Sequence, residues 1–470
     1  MSTGVDGIAL PGEADYEAAA EVFNLYAPLR PAAALTARTV DQVRAAVARA
    51  AAEDMPVRMH STGHASAAAR PMDGALLIRT ALDAPVDVDA AARTVRIPAG
   101  ARWGAVADAL APHGLSVAHG SSPTVGAIGY LLGGGLSCYA RTTGLAANAV
   151  RAVELVTADG QVRRADPVQD PELLWALRGG GGGFGVVTAM EIEAFPADSV
   201  ITGALFWSAR HAPRLLRAWR DWALDAPPAV TTSLRIMNLP DLPEVPPALR
   251  GGTVLGIDGT VLCIGGDLAA AQARARDLLG PLRAIAEPLL DTWQETNATA
   301  VLSTHMDPTD PVPILGDHML LGGLDDVTID RLLGLAGTGS GSPLVLVGLR
   351  QLGGALAVPD PRGGVLNHLD AAYAYSAAGV PESEADTALI VERCNAIRTV
   401  LAPWDTGRTA PTFVDNVHQP QGHLDDDQVR ALDRVRDRVD PAGLFRGDID
   451  PGATFRPVRQ LSMIMQNGDR

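Results

Sequence analysis

The sequence predicts an α+β protein with more than one hydrophobic core. Its 470 residues are enough for two or three cores, and the share of apolar residues is ordinary for a globular protein. Short strand-like runs alternate with helical segments up to Pro196. Beyond that point tryptophans and longer β-type runs appear, at Val254–Ile264 and Leu344–Leu352. We therefore expect an N-terminal region of many short elements, followed by a second domain of sheet and helices.

The individual elements follow from local signals. Thr39 is a good N-cap for a helix over Val40–Glu53, and Gly114 marks the end of a helix over Trp103–Leu110. Further helices are expected at Asp170–Leu177, Leu268–Leu279, Thr328–Ala336 and Asp425–Val439. Strands are expected at Ala32–Leu35, Pro56–Met59, Ala75–Ile78, Thr94–Ile97, Val150–Thr157 and Phe184–Phe195.

Charge and cysteine content exclude several classes of protein. The net charge is −16, there is no lysine, and no basic cluster is present, so nucleic acids and anionic membranes are not expected partners. The three cysteines are far apart, which argues against a disulfide framework, and no metal-ligand spacing is found. No signal peptide or membrane-spanning run is visible, so we expect a soluble, cytoplasmic protein.

Two glycine-containing segments carry the strongest functional signal. Met59–Ala65 reads Met-His-Ser-Thr-Gly-His-Ala, and Ser121–Gly135 contains five glycines among apolar residues. Backbone amides without side-chain bulk can approach a pyrophosphate closely. The segments predict a large nucleotide cofactor held by loops, with His64 as a covalent tether. The alternatives are a lone loop histidine and a mobile linker, but linkers are normally polar.

A second glycine run, Arg178–Gly185, lies between a helix and a Val-rich strand. We expect it to pass close to another backbone or a ligand. It is not a dinucleotide-binding fingerprint, because its glycines precede a strand instead of opening a helix. His113 and His119 flank a short strand before the first glycine block and are left open as structural or substrate-contacting residues.

The ordered set of motifs resembles a known family. Ser61–His64 is followed by Pro-Thr-Val-Gly and Gly-Gly-Gly in the first glycine block, then by Arg-x-x-Gly-Leu at Arg141–Leu145. Glu154–Gly160, Asp170–Ala176, the Arg178 glycine run and Asp440–Arg446 complete the set. This order is similar to that of FAD-linked oxidases of the berberine bridge enzyme-like group, within the vanillyl-alcohol oxidase/p-cresol methylhydroxylase (PCMH) superfamily.

The resemblance implies a PCMH-type FAD-binding domain of two α/β subdomains, and a substrate domain with an antiparallel sheet covered by helices. It places the FAD-binding domain at 1–200, the substrate domain at 201–411 and a segment returning to the FAD domain at 412–470. FAD would be joined to His64 by one covalent bond through its 8α-methyl group. The other implied cofactor-binding residues are His60, Ser61, Thr62, Gly63, Ala65, Ser121, Ser122, Thr124, Val125, Gly126, Gly129, Gly133, Gly134, Gly135 and Val186.

The chain departs from the family at several of these positions. Ser122 stands where some relatives carry a second, cysteinyl flavin link, His60 where many have arginine, and Thr62 where they have glycine. Phe413 replaces a tyrosine that serves as base or base partner, and a phenyl ring cannot take a proton. Val125 matches a position that governs oxygen access.

Tyr373 and His368 are the catalytic candidates that the resemblance leaves, each with a structural role as the alternative. The segments Gly353–Ala355 and Asn367–Ala371 resemble a family strand and the histidine motif that follows it. They place His368 and Tyr373 where polar groups would face the substrate.

The function that this resemblance implies is oxidation of a small specialised-metabolite alcohol, hemiacetal or amine. Hydride passes to the flavin, a pocket base takes the proton, and O₂ is reduced to H₂O₂. The alternatives are an FAD-containing cyclase, dehydratase or oxygenating enzyme, a dehydrogenase with another electron acceptor, and a non-catalytic flavin-binding module. The sequence leaves the oligomeric state open.

Overall fold

The computed structural model describes residues 7–452. The first half of the chain consists of short strands and helices. Its strands are β1 Ala33–Ala37, β2 Val57–His60, β3 Leu76–Thr80, β4 Asp87–Asp89, β5 Thr94–Pro98, β6 Leu115–Ser116, β7 Val150–Val156, β8 Val162–Ala165, β9 Val186–Glu193 and β10 Phe195–Pro196. Its helices are α1 Ala14–Ala20, α2 Val40–Ala52, α3 Trp103–Leu110, α4 Ala127–Leu132, α5 Ala140–Thr143 and α6 Pro171–Leu177.

Two sheets organise this half. β1, β3 and β2 form a parallel sheet in that order, and β4, β5, β9, β7 and β8 form an antiparallel one. Helix α2 begins at the predicted cap, where Thr39 Oγ1 accepts a hydrogen bond from the Gln42 backbone N–H and the Gln42 side chain accepts one from the Thr39 N–H. These are the two α/β subdomains that the resemblance implied.

The second half is built on one large sheet. Its strands are β11 Val200–Ser208, β12 Val230–Asn238, β13 Thr253–Leu262, β14 Leu290–Asp291, β15 Gln294–Thr296, β16 Leu315–Leu321, β17 Leu344–Gln351 and β18 Tyr373–Gly379. Its helices are α7 Ala212–Leu224, α8 Leu268–Ile285, α9 Val301–Thr304, α10 Asp326–Ala336 and α11 Glu384–Leu401, and α12 Asp426–Val439 follows. The antiparallel order is β14-β11-β13-β12-β17-β18-β16, with β15 also paired to β11.

The two faces of this sheet differ in chemistry because side chains alternate along each strand. One face is apolar and packs beneath α7, α8, α10 and α11, with Trp207, Trp219 and Tyr375 fully buried. The other face carries Ser233, Asp258 and their polar neighbours and looks toward the first half of the chain. The predicted α+β class and helix-covered antiparallel sheet are confirmed.

The later chain returns twice to the first half. Between β17 and β18, the Val365 N–H donates to the carbonyl of Trp175, and Leu356 and Leu366 join the core around α3 and α6. After α12, the Val57 N–H donates to Leu444 O, and Phe445 is buried beside β2. The division into 1–200, 201–411 and 412–470 stays a prediction, and its last residues lie outside the described part of the chain.

The second glycine run has a packing role. Arg178 is buried, and its guanidinium donates to the carbonyls of Val150 and Arg362. A Cβ at Gly179 would lie 2.6 Å from the Leu366 side chain, so this run is in close contact with the returning segment. Between residues 7 and 452, no helix is both long and apolar enough to cross a bilayer.

Candidate active site

His64 lies in the loop that follows β2. The loop turns at Gly63, which has φ +70° and where a Cβ would lie 2.6 Å from Val22. The His64 ring stacks on Phe23 with centroids 3.8 Å apart, and its Nε2 is 3.0 Å from Thr124 Oγ1. Burial lowers the pKa of His64 to about 4, although Thr124 and the charge of Asp307 oppose that shift. The imidazole is therefore neutral at pH 7.

The first glycine block meets this loop directly. Ser122 Oγ is 3.0 Å from Thr124 Oγ1, and a Cβ at Gly126 would collide with the Ser61 hydroxyl. A side chain at this position would force the Ser61 hydroxyl to turn away. The structure thus brings together Ser61, Thr62, Gly63 and His64 from one segment and Ser122, Thr124 and Gly126 from the other.

The rest of the block forms α4 and the turn after it. Gly129 is exposed on α4, and Gly134 and Gly135 have φ +92° and +73°. A Cβ at Gly135 would lie 2.5 Å from the Tyr130 ring, so the turn is packed and not a mobile linker. The backbone carbonyl of Val125 accepts the N–H of Trp103, which fixes the start of α3 against this block.

The residues at these loops fit a flavin dinucleotide. His60 Nδ1 and the Tyr130 hydroxyl are buried without a hydrogen-bond partner among residues 7–452, and a polar ligand would supply partners. His60 Nε2 is 2.7 Å from Ala19 O, and burial lowers the pKa of His60 to about 4. His60 is thus neutral at pH 7.

Two predicted cofactor residues are placed differently from the others. The Val186 side chain is completely buried in an apolar cluster with Leu444 and Phe445, so it presents no surface to a cofactor. Ala65 is exposed at the end of the His64 loop.

A small cavity lies between one face of the large sheet, α9 and the chain that follows the glycine block. Its lining is formed by the polar face of the sheet, the end of α9 and the chain after the glycine block: Cys138, Thr231, Ser233, Asp258, Gly259, Thr260, Val301, Thr304, His305 and Arg350. A larger open depression beside α12, between Gly407 and Gly452, contains no residue of either cofactor loop.

Three charged or ionisable side chains form a linked group in the cavity wall. Arg235 Nε donates to Asp258 Oδ2 at 3.0 Å, and His305 Nδ1 is 3.1 Å from Asp258 Oδ1. Arg235 Nη1 also donates to the backbone carbonyl of His305. The Arg235 and Asp258 side chains are only 5% and 6% exposed. This arrangement holds the imidazole by Nδ1 and leaves Nε2 as the nitrogen that can exchange a proton.

The loop that carries His305 also contacts the glycine block, through Asp307. Ser121 Oγ donates to Asp307 Oδ2 at 2.6 Å. Met306, between the two site residues, has φ +54°, a left-handed conformation that is unusual for a long side chain. The turn at Met306 lets His305 contact the sheet while Asp307 contacts the glycine block.

Arg350 lines the cavity on the side nearest the glycine turn, and Phe413 packs against its guanidinium. Arg350 Nη1 donates to Leu136 O at 3.1 Å, and its guanidinium lies 5.5 Å from the Phe413 ring centroid. Phe413 also stacks against His318 with centroids 5.3 Å apart. The position of the family tyrosine is therefore beside the cavity, but here its ring supports a cation.

Neither Tyr373 nor His368 lies in this cavity. Tyr373 is buried on the helix-covered face of the sheet against Trp219, and burial raises its pKa to about 12. His368 Nδ1 is 2.7 Å from the adjacent Asn367 Oδ1, in the segment packed on the first half of the chain. Strand alternation thus turns Tyr373 toward the helices and away from this cavity, and the substrate-facing role of His368 stays a prediction.

His113 and His119 also remain outside the cavity lining. His113 is exposed at the end of α3. His119 is buried, with Nδ1 2.6 Å from Gly120 O, and it packs edge-on against Tyr139.

Sequence reasoning did not find Arg235, Asp258, His305 or Arg350. They come from four separate elements, and no short motif joins them. One signal was available in the sequence: a single charged residue lies within an otherwise uncharged strand, at Arg235 in β12 and at Asp258 in β13.

Comparison with known proteins identifies the dinucleotide-binding part. Residues 31–166 match the family described as FAD binding domain. A carbohydrate oxidase of Microdochium nivale is 33% identical over 201 residues, 42% of this chain and 40% of the relative. An FAD-dependent monooxygenase of Emericella nidulans is 32% identical over 200 residues, 42% of each chain. The alignments thus span about two fifths of these relatives.

The fold is shared over nearly the whole chain. The structure of Physcomitrella patens BBE-like 1 superposes with a TM-score of 0.78 at 20% identity, covering 96% of this chain and 97% of that one. The class is therefore that of proteins with an FAD binding domain in the berberine bridge enzyme-like fold. Within that class, the chain carries its own cavity group of Arg235, Asp258, His305 and Arg350.

Proposed function

We propose that this protein is an FAD-dependent oxidase of a small alcohol, hemiacetal or amine from specialised metabolism. The observation that carries the proposal is the junction between the FAD binding domain and the cavity. Ser121 in the glycine block is bonded to Asp307, two residues after His305 in the cavity wall. An ionisable group capable of proton transfer is thus held next to the segments that contain the cofactor-binding residues.

FAD would be held by the loops around Ser61–His64 and Ser122–Gly126, and when bound it would accept a hydride equivalent from the substrate and pass the electrons to O₂. His64 is suited to a single covalent attachment because its imidazole is neutral at pH 7. Thr124 engages Nε2, and Nδ1 makes no hydrogen bond to another described residue, so Nδ1 is the nitrogen we assign to the bond. Ser122 provides no second link.

His305 is the residue we assign as the base. A substrate hydroxyl or amine that enters the cavity can give its proton to His305 Nε2, because Asp258 holds the ring through Nδ1. Asp258 also stabilises the imidazolium that results. This assignment replaces Tyr373, His368 and the missing tyrosine at Phe413.

The test begins with the purified protein. Acid precipitation should leave the flavin in the pellet, and the peptide containing His64 should carry one FAD mass with Ser122 unmodified. A panel of alcohols, aldoses and amines is then screened for anaerobic bleaching of the flavin. With a bleaching substrate in air, we expect one H₂O₂ per O₂ consumed. Release of the flavin into the supernatant would contradict the His64 bond, and slow reoxidation in air would favour a dehydrogenase.

A second candidate is an oxygenating enzyme. The observation in its favour is the similarity to proteins named FAD-dependent monooxygenases. Such an enzyme would transfer an oxygen atom from ¹⁸O₂ to its product and release less H₂O₂ than the O₂ it consumes. Full recovery of O₂ as H₂O₂, with no ¹⁸O in the product, would exclude it.

A further inference from the structure

Arg350 brings a positive charge to the cavity, and the Asp258 carboxylate in the lining forms its ion pair with Arg235 and not with Arg350. The charged side chains in and behind the lining are Arg235, Asp258 and Arg350, and the ionisable side chains of His305 and Cys138 also line the cavity. Asp258 is paired with Arg235 and contacts His305. Within residues 7–452, no ion pair shorter than 4.0 Å is formed by Arg350, and its contacts are Leu136 O and the Phe413 ring.

The Arg350 guanidinium is held in place, but some of its N–H donors have no hydrogen-bond partner among the described residues. The bond from Nη1 to Leu136 O and the stacking over Phe413 fix the plane of the group. Nε and Nη2 make no hydrogen bond to another residue in the described part, and Arg350 is only partly buried. A fixed guanidinium with free N–H groups has the geometry that binds a carboxylate through two parallel hydrogen bonds.

Hydroxyl groups stand next to these free donors. Ser233 lies directly opposite Arg350 in the β12–β17 pairing, and Thr231 follows it on the same face of the sheet. Both line the cavity, and neither hydroxyl bonds to a side chain among the described residues. Thr260 differs, because its hydroxyl is already 3.4 Å from Thr202 Oγ1. The surroundings of Arg350 therefore offer additional donors, and the carboxylate that shares the cavity lining, Asp258, is already paired with Arg235 and in contact with His305.

We propose that the substrate carries a carboxylate, which Arg350 binds together with the Ser233 hydroxyl. This inference rests on the proposed function and specifies its substrate class. A neutral sugar or alcohol would leave the Arg350 charge without a partner in a partly desolvated cavity. A carboxylate neutralises it and places the rest of the substrate along the wall where His305 lies.

The first experiment uses the unaltered holoprotein and matched ligands. Titration calorimetry compares benzoate with benzamide, which has nearly the same shape and no charge, and acetate with acetamide. We expect each carboxylate to bind at least 10-fold more tightly than its amide, with an affinity that falls as salt is raised. Equal affinities within both pairs, or no binding by either carboxylate, would overturn the proposal. No catalytic turnover is needed for this measurement.

The second experiment measures benzoate affinity in variants of Arg350 and Ser233. The reduction potential of the flavin is measured on the same variants as an independent property. Arg350→Gln should weaken benzoate binding at least 10-fold, Arg350→Lys should weaken it less, and Ser233→Ala should have an intermediate effect. Arg217→Gln, which removes a surface arginine paired with Asp326 and Asp330, is the matched control and should leave the affinity unchanged. If Arg350→Gln shifts the flavin potential but not the benzoate affinity, Arg350 serves the cofactor and the proposal fails.

The same data separate this proposal from the proposed function. A holoprotein that binds carboxylates through Arg350 but shows no flavin bleaching with any carboxylate-bearing alcohol or amine would retain the binding site and remove the oxidase assignment. A holoprotein that oxidises neutral alcohols and does not distinguish benzoate from benzamide would retain the oxidase and overturn the carboxylate site.

Discussion

The carboxylate of Asp258 holds the imidazole of His305, with Oδ1 and Nδ1 3.1 Å apart. Burial by itself would raise the pKa of Asp258, but the nearby His305 and Arg235 outweigh it, so the pKa lies below its usual value. The carboxylate is therefore charged at neutral pH. Asp258 is a positioning residue, and His305 is the group that can reach the substrate.

Replacing His305 tests its assignment as base. We expect His305→Gln to slow substrate-dependent flavin reduction by about 10²- to 10⁴-fold, the usual contribution of a positioned base. Glutamine keeps a polar side chain of similar size, so the covalent flavin content should not change. Anaerobic stopped-flow absorbance measures the rate. His113→Gln, at an exposed position, is the control, and an equal effect in both variants would contradict the assignment.

Removing the charge of Asp258 should destabilise the fold. Asp258→Asn leaves the buried Arg235 guanidinium without its counter-charge, which typically costs about 3–5 kcal/mol. The lowered pKa adds a pH dependence: the stabilisation is present above the pKa of an unfolded aspartate, about 4, and is lost as the pH falls through the lower folded value. Urea unfolding at pH 7 measures the loss.

The matched control for Asp258 is Asp326→Asn. It removes surface contacts with Arg217 and Arg220 that solvent screens, and it should cost much less stability than Asp258→Asn. If the two variants lose the same stability, the Asp258 group is not the buried ion pair that the structure describes.

The pKa of His64 predicts how covalent attachment depends on pH. Because burial lowers this pKa to about 4, the imidazole stays neutral from pH 8 down to about pH 5. The rate of flavin attachment to apoprotein should therefore be flat over that range and fall only near pH 4. An exposed histidine would lose half its neutral form at about pH 6.5. Acid-stable flavin absorbance against time gives the rate, and His64→Ala should abolish it.

A buried carboxyl at Asp415 should make stability fall with rising pH. Burial, together with the charge of Asp317, raises the pKa of Asp415 to about 7. The folded protein therefore retains a proton that the unfolded chain releases near pH 4, so the contribution to stability is complete below pH 4 and is lost as the pH rises through 7. Asp415→Asn should flatten this slope in urea unfolding from pH 5 to 8. Asp427→Asn, an exposed carboxylate, should leave it unchanged.

Arg141 joins the two halves of the molecule. Its buried guanidinium donates to the carbonyls of Val230 at 2.9 Å and Ala226 at 2.6 Å, and also to that of Leu352. Arg141→Leu leaves these carbonyls unpaired, at a cost of about 1–3 kcal/mol for each one that stays buried. Urea unfolding should therefore show a large loss, and Arg141→Lys a smaller one. A neutral outcome for Arg141→Leu would show that water replaces the guanidinium.

The sequence predicted many of the local elements well, and the cofactor-binding residues assigned to the two loops stay a prediction. Thr39 caps α2, Gly114 is left-handed at the end of the short 3₁₀ turn that follows α3, and the Arg178 glycine run packs against another backbone. These features depend on backbone conformation and neighbouring residues, which a linear sequence contains. The α+β class followed from these local signals, and the FAD binding domain followed from the order of the motifs along the chain.

The catalytic candidates could not be obtained in this way. Tyr373 and His368 were chosen by position in a motif, but strand alternation turns Tyr373 toward the helices, and Asn367 engages His368. Arg141 was recognised as part of a motif, whereas its contacts with Val230 and Leu352 show that it joins the two halves.

The sequence by itself determined where helices and strands begin and end. It also determined which segments have a glycine at the point where two loops meet. Only the tertiary structure decided which charged side chains share a cavity. Asp258, His305 and Arg350 lie on different elements and carry no signal in their neighbours, so their roles arise when β12, β13 and β17 pair and the turn at Met306 faces them. Charge pairing and desolvation depend on distances in space, and these distances cannot be obtained from the separation of residues along the chain.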